Sequence, residues 1–466
     1  MPLNIQVLGA DDTVTGSRSL LTYQGRSWLI DCGLFQGDKT KRERNWLPFS
    51  IQPSSLAGVL LTHAHLDHTG YLPRLCQQGY TGPIHATQGT VDLTQILLLD
   101  AAHLEEEAAA FANRTHYSNH SPAEPLFTAA DAALANSRLV PHRRDQWIPL
   151  AEGLSFRFVR AGHIIGASMI QIAADLGDRG MRTVTFTGDL GNDRSHHLRP
   201  PEYIHGTDVL VLESTYGDRL QPREDGLVAL AEVVRRTMAR GGVLVIPAFA
   251  VGRAQELTYM LRLLEDQGKI PAVPVILDSP MATAAMEVCL RHPEDQVLQS
   301  AFTGSDDPFR PQRFEVSQTV DESMLSCMRD GPMIVISASG MLNGGRILHH
   351  LKARLPDPRS TVVFCGYQAD GTKGRFLQDH SVDLATLRIH HVEVPIAAEI
   401  VTLDHLSSHA DYVDTLTWLS HMPQLPSQIV LNHGEPQAQR ALAAHILERF
   451  GVQAILACEA KHIAIQ

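Results

Sequence analysis

The stretch LAGVLLTHAHLDHTG, residues 56–70, decides how the rest of the chain is read. Its first half is short and apolar, a buried strand. Its second half turns polar at HAHLDH, which puts His63, His65, Asp67 and His68 within six positions. A loop leaving a buried strand can aim such side chains at one small volume. Neutral imidazole and carboxylate are the donors that suit zinc, at about 2.0–2.2 Å. Working outward, three more ligand-type residues follow strand-like runs: His163 in RAGHIIGAS, Asp189 in TFTGDLG and His433 in IVLNHGE. Strand C-terminal ends are where α/β sites gather. Seven donors with one shared carboxylate suit two zinc ions, a pair that at a spacing of about 3.5–4 Å activates water and clamps a phosphodiester.

Around these points the chain reads as sheet-rich at both ends. NIQVLGA (4–10), SLLTYQG (19–25), SWLIDCG (27–33), LSFRFVRAGH (154–163), SMIQIAADLG (168–177) and RTVTFTGDLG (182–191) have strand character, and 88–113 has helical spacing. After DVLVLESTYGD (208–218) the pattern changes to strand–turn–helix units at 243–264 and 333–355, with a helix over 227–241 and a buried strand at 361–368. Such alternation predicts a doubly wound parallel sheet. QIVLNHGE (428–435), a helix over 437–449 and a last strand over 452–460 return to the sheet-rich body.

Composition excludes several classes. With 44% hydrophobic and 19% charged residues over 466 positions, the chain is neither disordered nor fibrous. The longest apolar runs, such as VLVIPAFAV (243–251), fall far short of the roughly 18 residues a membrane helix needs. No signal peptide is evident in MPLNIQVLGADD, so a cytoplasmic location is the expectation. The six cysteines form no CxxC pair, which argues against a disulfide framework or a thiolate zinc site. The net charge of −12 argues against a non-specific polyanion binder. Neither GxGxxG nor a Walker loop is present, so no nucleotide cofactor is expected.

HAHLDH, preceded by Asp31 and followed by His163 and Asp189, is similar to the signature of the metallo-β-lactamase-fold hydrolases. LESTYGD (212–218), SSHAD (407–411) and LNHGE (431–435) resemble the three additional motifs of the β-CASP nucleases, relatives of the pre-mRNA 3′-end cleavage endonuclease. The likeness runs from about residue 5 to 460. It implies an α/β protein: an αββα sandwich from residues 1–216 and 401–466, with a doubly wound β-CASP domain inserted at 217–400. It implies that His63, His65 and His163 hold one zinc and that Asp67, His68 and His433 hold the other, with Asp189 bridging. Asp31 would support the ligands from behind. Glu213 and His409 would form an acid–histidine pair that protonates the leaving oxygen. His433 marks RNA-type rather than DNA-type members.

The expected activity is therefore two-zinc hydrolysis of single-stranded RNA, endo- or 5′-exonucleolytic, leaving 5′-phosphate and 3′-hydroxyl ends. For RNA contacts, SASGMLNGGR (337–346) offers Ser337, Ser339, Gly340, Gly344 and Arg346 between a strand and a helix. Residues 343–376 carry Arg346, Lys352, Arg354, Arg359, Lys373 and Arg375 against Asp357 and Asp370. Tyr216, Phe249 and Tyr367 lie near motifs and have core packing as the competing role. A homodimer or RNA-processing partner proteins stay open. The rivals are a DNA nuclease or small-ester hydrolase of the same fold, and a partner-activated RNA-binding subunit. An inactive scaffold would lose ligands, whereas this chain keeps all seven.

Overall fold

The computed structural model describes residues 3–116, 120–298, 307–366, 368, 371–380 and 385–465. Tyr367 and Asp370 lie outside the described residues. The chain divides into two compact units: Met1–Asp193 with Pro200–Leu220 and His409–Gln466, and Arg194–Arg199 with Gln221–Ser408.

The first unit is built on two seven-stranded sheets. One begins with the antiparallel strands Leu3–Gly9, Arg18–Tyr23 and Arg26–Ile30 and continues in parallel through Leu56–Leu60, Ile84–Thr87 and Leu139–His142. The other runs antiparallel from Ile148–Ala151 through Leu154–Arg160 and Ser168–Asp175 to Met181–Phe186. It then turns parallel through Val209–Glu213, Gln428–Asn432 and Ile455–Leu456. Ile5, Val7, Trp28 and Ile30 from the first sheet pack against Phe156, Phe158, Ile172 and Val430 from the second. The first sheet's opposite face, with Leu29, Val59 and Leu61, is covered by Leu72, Leu75, Leu98 and Ala132 from helices. The helices Tyr412–Ser420 and Pro436–Phe450 lie together, and the second packs on the strands Gln428–Asn432 and Ile455–Leu456. The layers are therefore helix, sheet, sheet, helix. Each interface is fed by strands with one apolar face, or by strands apolar on both faces where the sheet is buried.

The C-terminal reading needs one correction. In place of a single strand over 452–460, the structure has the two-residue strand Ile455–Leu456 and a further strand, His462–Ile465. The latter pairs antiparallel with Leu3–Gly9, Ile5 opposite Ile463. Its exposed–buried alternation satisfies the sheet edge, but four residues at a chain end give too short a period-two signal to read from sequence.

The second unit holds a six-stranded sheet in which every pairing is parallel. The strand order is Phe314–Val316, Val275–Asp278, Met333–Ser337, Val243–Pro247, Thr361–Phe364 and Glu399–Thr402. The helix Gly226–Ala239 leads into the sheet, and helices such as Arg253–Asp266 and Ile347–Arg354 connect its strands. Among the described residues, no helix is long and apolar enough to cross a membrane. All six cysteines are free.

Candidate metal centre

Every candidate ligand sits where a strand of the first unit has just ended. Leu56–Leu60 delivers His63, and the one-turn helix Leu66–Thr69, whose N-cap is His65, carries Asp67 and His68. Met181–Phe186 delivers Asp189, Val209–Glu213 ends on Glu213 itself, and Gln428–Asn432 delivers His433. Because these last three strands are parallel neighbours in register, with Glu213 opposite Asn432, their C-terminal ends stand side by side. His163 comes from the turn between Leu154–Arg160 and Ser168–Asp175, tied to the Asp189 loop by Gly191 N–H donating to the Ala161 carbonyl at 2.8 Å. A Cβ on Gly191 would stand 2.0 Å from the Gly162 carbonyl oxygen, so only glycine permits this approach.

The donor atoms converge in two groups. His63 Nε2 lies 3.1 Å from His65 Nδ1, and His163 Nε2 lies 3.3 Å from that same nitrogen. Asp189 Oδ2 faces His63 Nε2 at 3.4 Å and His163 Nε2 at 3.5 Å. A tetrahedral zinc with bonds of about 2.0–2.1 Å requires ligand–ligand edges of about 3.3–3.4 Å. In the second group His68 Nε2 is 3.1 Å from His433 Nε2, and the latter is 3.7 Å from Asp67 Oδ2. Asp189 Oδ1 stands 3.1 Å from His68 Nε2. The Asp189 carboxylate thus turns one oxygen to each group.

The orientation of the imidazoles is fixed from behind. Asp31, buried and with left-handed backbone (φ 59°), accepts the Thr62 backbone N–H at Oδ1 and the Thr62 hydroxyl at Oδ2, both at 2.8 Å. His68 Nδ1 reaches the same Oδ2 at 2.8 Å and therefore carries its proton there. With its own proton given to Asp31, the Thr62 hydroxyl accepts from His63 Nδ1 at 3.1 Å. With Nδ1 of each ring held from behind, both histidines turn Nε2 toward the cluster, the orientation metal ligation requires. Thr62 is a functional residue the sequence reading missed; its adjacency to HAHLDH was the available signal. Thr215, inside LESTYGD, was also missed: its hydroxyl is 3.3 Å from His433 Nδ1.

The electrostatics divide the histidines. Burial, then the neighbouring positive imidazoles, drives His63 and His163 well below the ordinary histidine value, so both are neutral donors. Burial acts the same way on His68, but Asp189 and Asp31 outweigh it and hold this group well above the ordinary value. Burial would raise Asp67 and Asp189; the hydrogen bond and charge of His433, with His68, keep both carboxylates low. A cation binding between the two Asp189 oxygens and the imidazoles would replace the His68 proton.

Glu213 and His409 stand at the rim of this cluster. Glu213 Oε1 accepts the Leu190 N–H at 2.6 Å and lies 3.2 Å from His409 Nδ1. His409 Nε2 points at Asp189 Oδ2 from 3.9 Å, and its backbone carbonyl is held by Asn192 Nδ2 at 3.0 Å. Burial would lower His409, but Glu213, as charge and as hydrogen-bond partner, raises it to about 9. The Tyr216 ring meets His409 edge-on, with centroids 5.8 Å apart, and is buried.

The expected RNA-contact residues are placed in the second unit. Ser337 is fully buried and donates to the Asp278 carbonyl at 3.0 Å. Arg346 is 2.9 Å from Asp278 Oδ1 and also donates to the Ser317 and Gln318 carbonyls. Ser339 is half-buried; Gly340 lies against the backbone of Phe249, and a Cβ at Gly344 would meet open space. Most of the cations counted in 343–376 are engaged within the protein. Arg354 is buried against the Cys327 carbonyl, Arg359 pairs with Asp357, and Arg375 pairs with Asp379. Of the six cations, Arg346, Arg359 and Arg375 have ion-pair partners and Arg354 bonds backbone carbonyls, which leaves Lys352 and Lys373 without a partner among the described residues.

A four-layer αββα sandwich with histidines and carboxylates converging at its strand C-termini defines a metallo-hydrolase of the metallo-β-lactamase fold. Three family models match the chain: a beta-lactamase superfamily domain over 26–247, a Beta-Casp domain over 254–377, and a Zn-dependent metallo-hydrolase RNA specificity domain over 393–457. Ribonuclease TTHA0252 of Thermus thermophilus is 38% identical over 94% of this chain and 95% of its own length. Transcription termination factor FttA of Methanosarcina mazei is 30% identical over 97% of this chain and 70% of its own length. A solved structure of a protein of unknown function from Enterococcus faecalis V583 shares the fold, with a TM-score of 0.55 at 15% identity over the whole of both chains. The chain belongs to the β-CASP family.

Proposed function

We propose that this protein is a two-zinc ribonuclease that hydrolyses phosphodiester bonds of single-stranded RNA, leaving 5′-phosphate and 3′-hydroxyl ends. The observation that carries the reading is Asp189, whose two buried oxygens each face one group of imidazoles. The donor set and its spacing suit zinc, and His63, His65, His163 and Asp189 would hold one ion, Asp67, His68, His433 and Asp189 the other. Ions so held supply a nucleophile at neutral pH and a Lewis acid at the phosphate oxygens.

The chain's own groups supply the rest. Asp31 and Thr62 hold His63 and His68 with their Nε2 atoms forward. Glu213 orients His409 and keeps it protonated, so that His409 Nε2 can deliver a proton to the departing 3′-oxygen. The names of the relatives, a ribonuclease and a transcription termination factor, support RNA as the polymer. The His433 position, which takes part in the second donor group, supports RNA over DNA in the same sense as the family motif.

The test is zinc-loaded protein beside its Asp67→Ala and Asp189→Ala variants, given RNA and DNA of one sequence labelled at either end. RNA cuts with 5′-phosphate termini, absent in both variants, are expected. Undiminished cutting by a clean preparation of either variant would overturn the mechanism. Internal fragments against a mononucleotide ladder separate endo- from 5′-exonucleolytic action.

A further inference from the structure

The structure subtracts four arginines from the basic stretch 343–376 and leaves its two lysines. It then adds partners that the sequence keeps apart. The hairpin Thr386–Ile389/Val392–Pro395 ends in His390 and His391, both left-handed (φ 47° and 65°). Asn-Gly is the usual choice for such a two-residue tip, because non-glycine residues rarely take these angles. The tip places the His390 ring 5.0 Å from that of His349, on the helix Ile347–Arg354, which also carries Lys352 one turn further on. Burial and then the positive charges of His349, Lys352, Lys373 and His391 lower His390.

Lys373 begins the helix Lys373–His380. Phe376 and His380 follow at three and seven positions, on the same helix face. The Phe376 ring is 46% exposed and lies over His380, with centroids 4.8 Å apart at 33°. Two acids of these elements are engaged: Asp379 holds Arg375 at 2.6 Å, and Glu393 accepts from Thr386 Oγ1 at 2.9 Å. Cations without acid partners beside an exposed ring are what single-stranded nucleic acid requires, phosphates on the charges and a base on the ring.

We propose that Lys352, Lys373, His349, His390, His391 and Phe376 form a binding site in the second unit for single-stranded RNA, gripping phosphates at the lysines and imidazoles and stacking a base on Phe376. It rests on the reading of RNA as the substrate. Acidic protein segments offer charge but no planar base for an exposed ring, so RNA is the better fit.

The test measures binding of a phosphorothioate-linked unstructured RNA to the zinc-loaded full chain across a salt series. Counterion release scales at about 0.7 per phosphate contact on a single strand. Lys352→Gln with Lys373→Gln should therefore make the log–log salt slope shallower by about 1.4 and weaken binding about 25-fold at 0.1 M salt. Lys352→Arg with Lys373→Arg should bind as the parent does. Phe376→Ala should lose roughly five-fold or more without changing the slope. An unchanged slope and affinity in the glutamine double variant would overturn the proposal and leave the surface to an acidic protein partner. So would an arginine variant as weak as the glutamine one, because charge would then not be what binds. Hydrolysis of ordinary RNA by the parent is followed in parallel. A parent that binds but never cuts counts against the ribonuclease reading; a parent that cuts while all variants bind normally counts against this site.

Discussion

Exchanging Asp31 for asparagine alters one atom and exposes the logic of the centre. Asparagine tolerates the left-handed backbone at this position (φ 59°), so the main chain should stay in place. Asp31 accepts three hydrogen bonds at 2.8 Å, from Thr62 N–H, the Thr62 hydroxyl and His68 Nδ1. If the amide oxygen keeps the Thr62 N–H, the NH2 group faces Thr62 Oγ1 and His68 Nδ1. His68 must then carry its proton on Nε2, the nitrogen 3.1 Å from both Asp189 Oδ1 and His433 Nε2. If the amide flips, two N–H donors collide at Thr62. A buried hydrogen bond to a charged group is worth about 1.5–3 kcal/mol, which converts to roughly ten- to 150-fold in affinity. That range brackets the 10–100-fold typical of losing a partner behind a ligand histidine. Zinc affinity, read by competition with a chromophoric chelator, should fall by that amount, and RNA hydrolysis at limiting zinc should fall with it. Parent-like affinity in Asp31→Asn would refute the argument that Asp31 sets the His68 tautomer.

Three further outcomes follow from other parts of the molecule. Glu213→Gln and His409→Ala should keep their zinc, counted by atomic absorption, yet lose roughly 10²–10⁴-fold in RNA turnover, while a p-nitrophenyl phosphodiester, whose leaving group needs no proton, is cleaved with a much smaller deficit. Gly33→Ala should lose zinc and stability together in a thermal melt, because its Cβ would fall 1.6 Å from the Asp67 carbonyl oxygen. Glu256 should make the second unit acid-sensitive. Burial would raise this carboxyl, but His197 Nδ1 at 2.8 Å, the Arg253 charge and the His196 N–H hold it far below the usual range. Its stabilisation is complete above the unfolded value of about 4.3 and is lost as pH falls through that value toward the folded one. Urea titrations at pH 7 and pH 4 should therefore show a steeper loss in the parent than in Glu256→Gln.

How far the sequence reaches differs between the centre and its surroundings. HAHLDH could be read directly because strand and turn put four donors within six residues. The remaining donors lie up to 370 positions away, yet each follows an apolar run, which is a local signal. Thr62 went unread because its role depends on a hydroxyl angle between Asp31 and His63, which no spacing encodes. The strand His462–Ile465 went unread because its signal is shorter than one reliable period. The segment Arg194–Arg199 belongs with the second unit through Ser195 and His196, which bond to Glu256 some sixty residues on; composition marks no boundary there.

The sequence by itself determined the fold class, through hydrophobic periodicity, and the family, through its short motifs, because both are written in neighbouring residues. Only the tertiary structure decided which charges are available. Arg346 and Lys352 look alike in the chain, but one is spent on the buried Asp278, while the other shares a helix with His349, whose ring meets His390 of the hairpin tip. Charge in a sequence adds up residue by residue. Its reach toward a ligand is set by the partners that folding brings within hydrogen-bond distance, and those lie elsewhere in the chain.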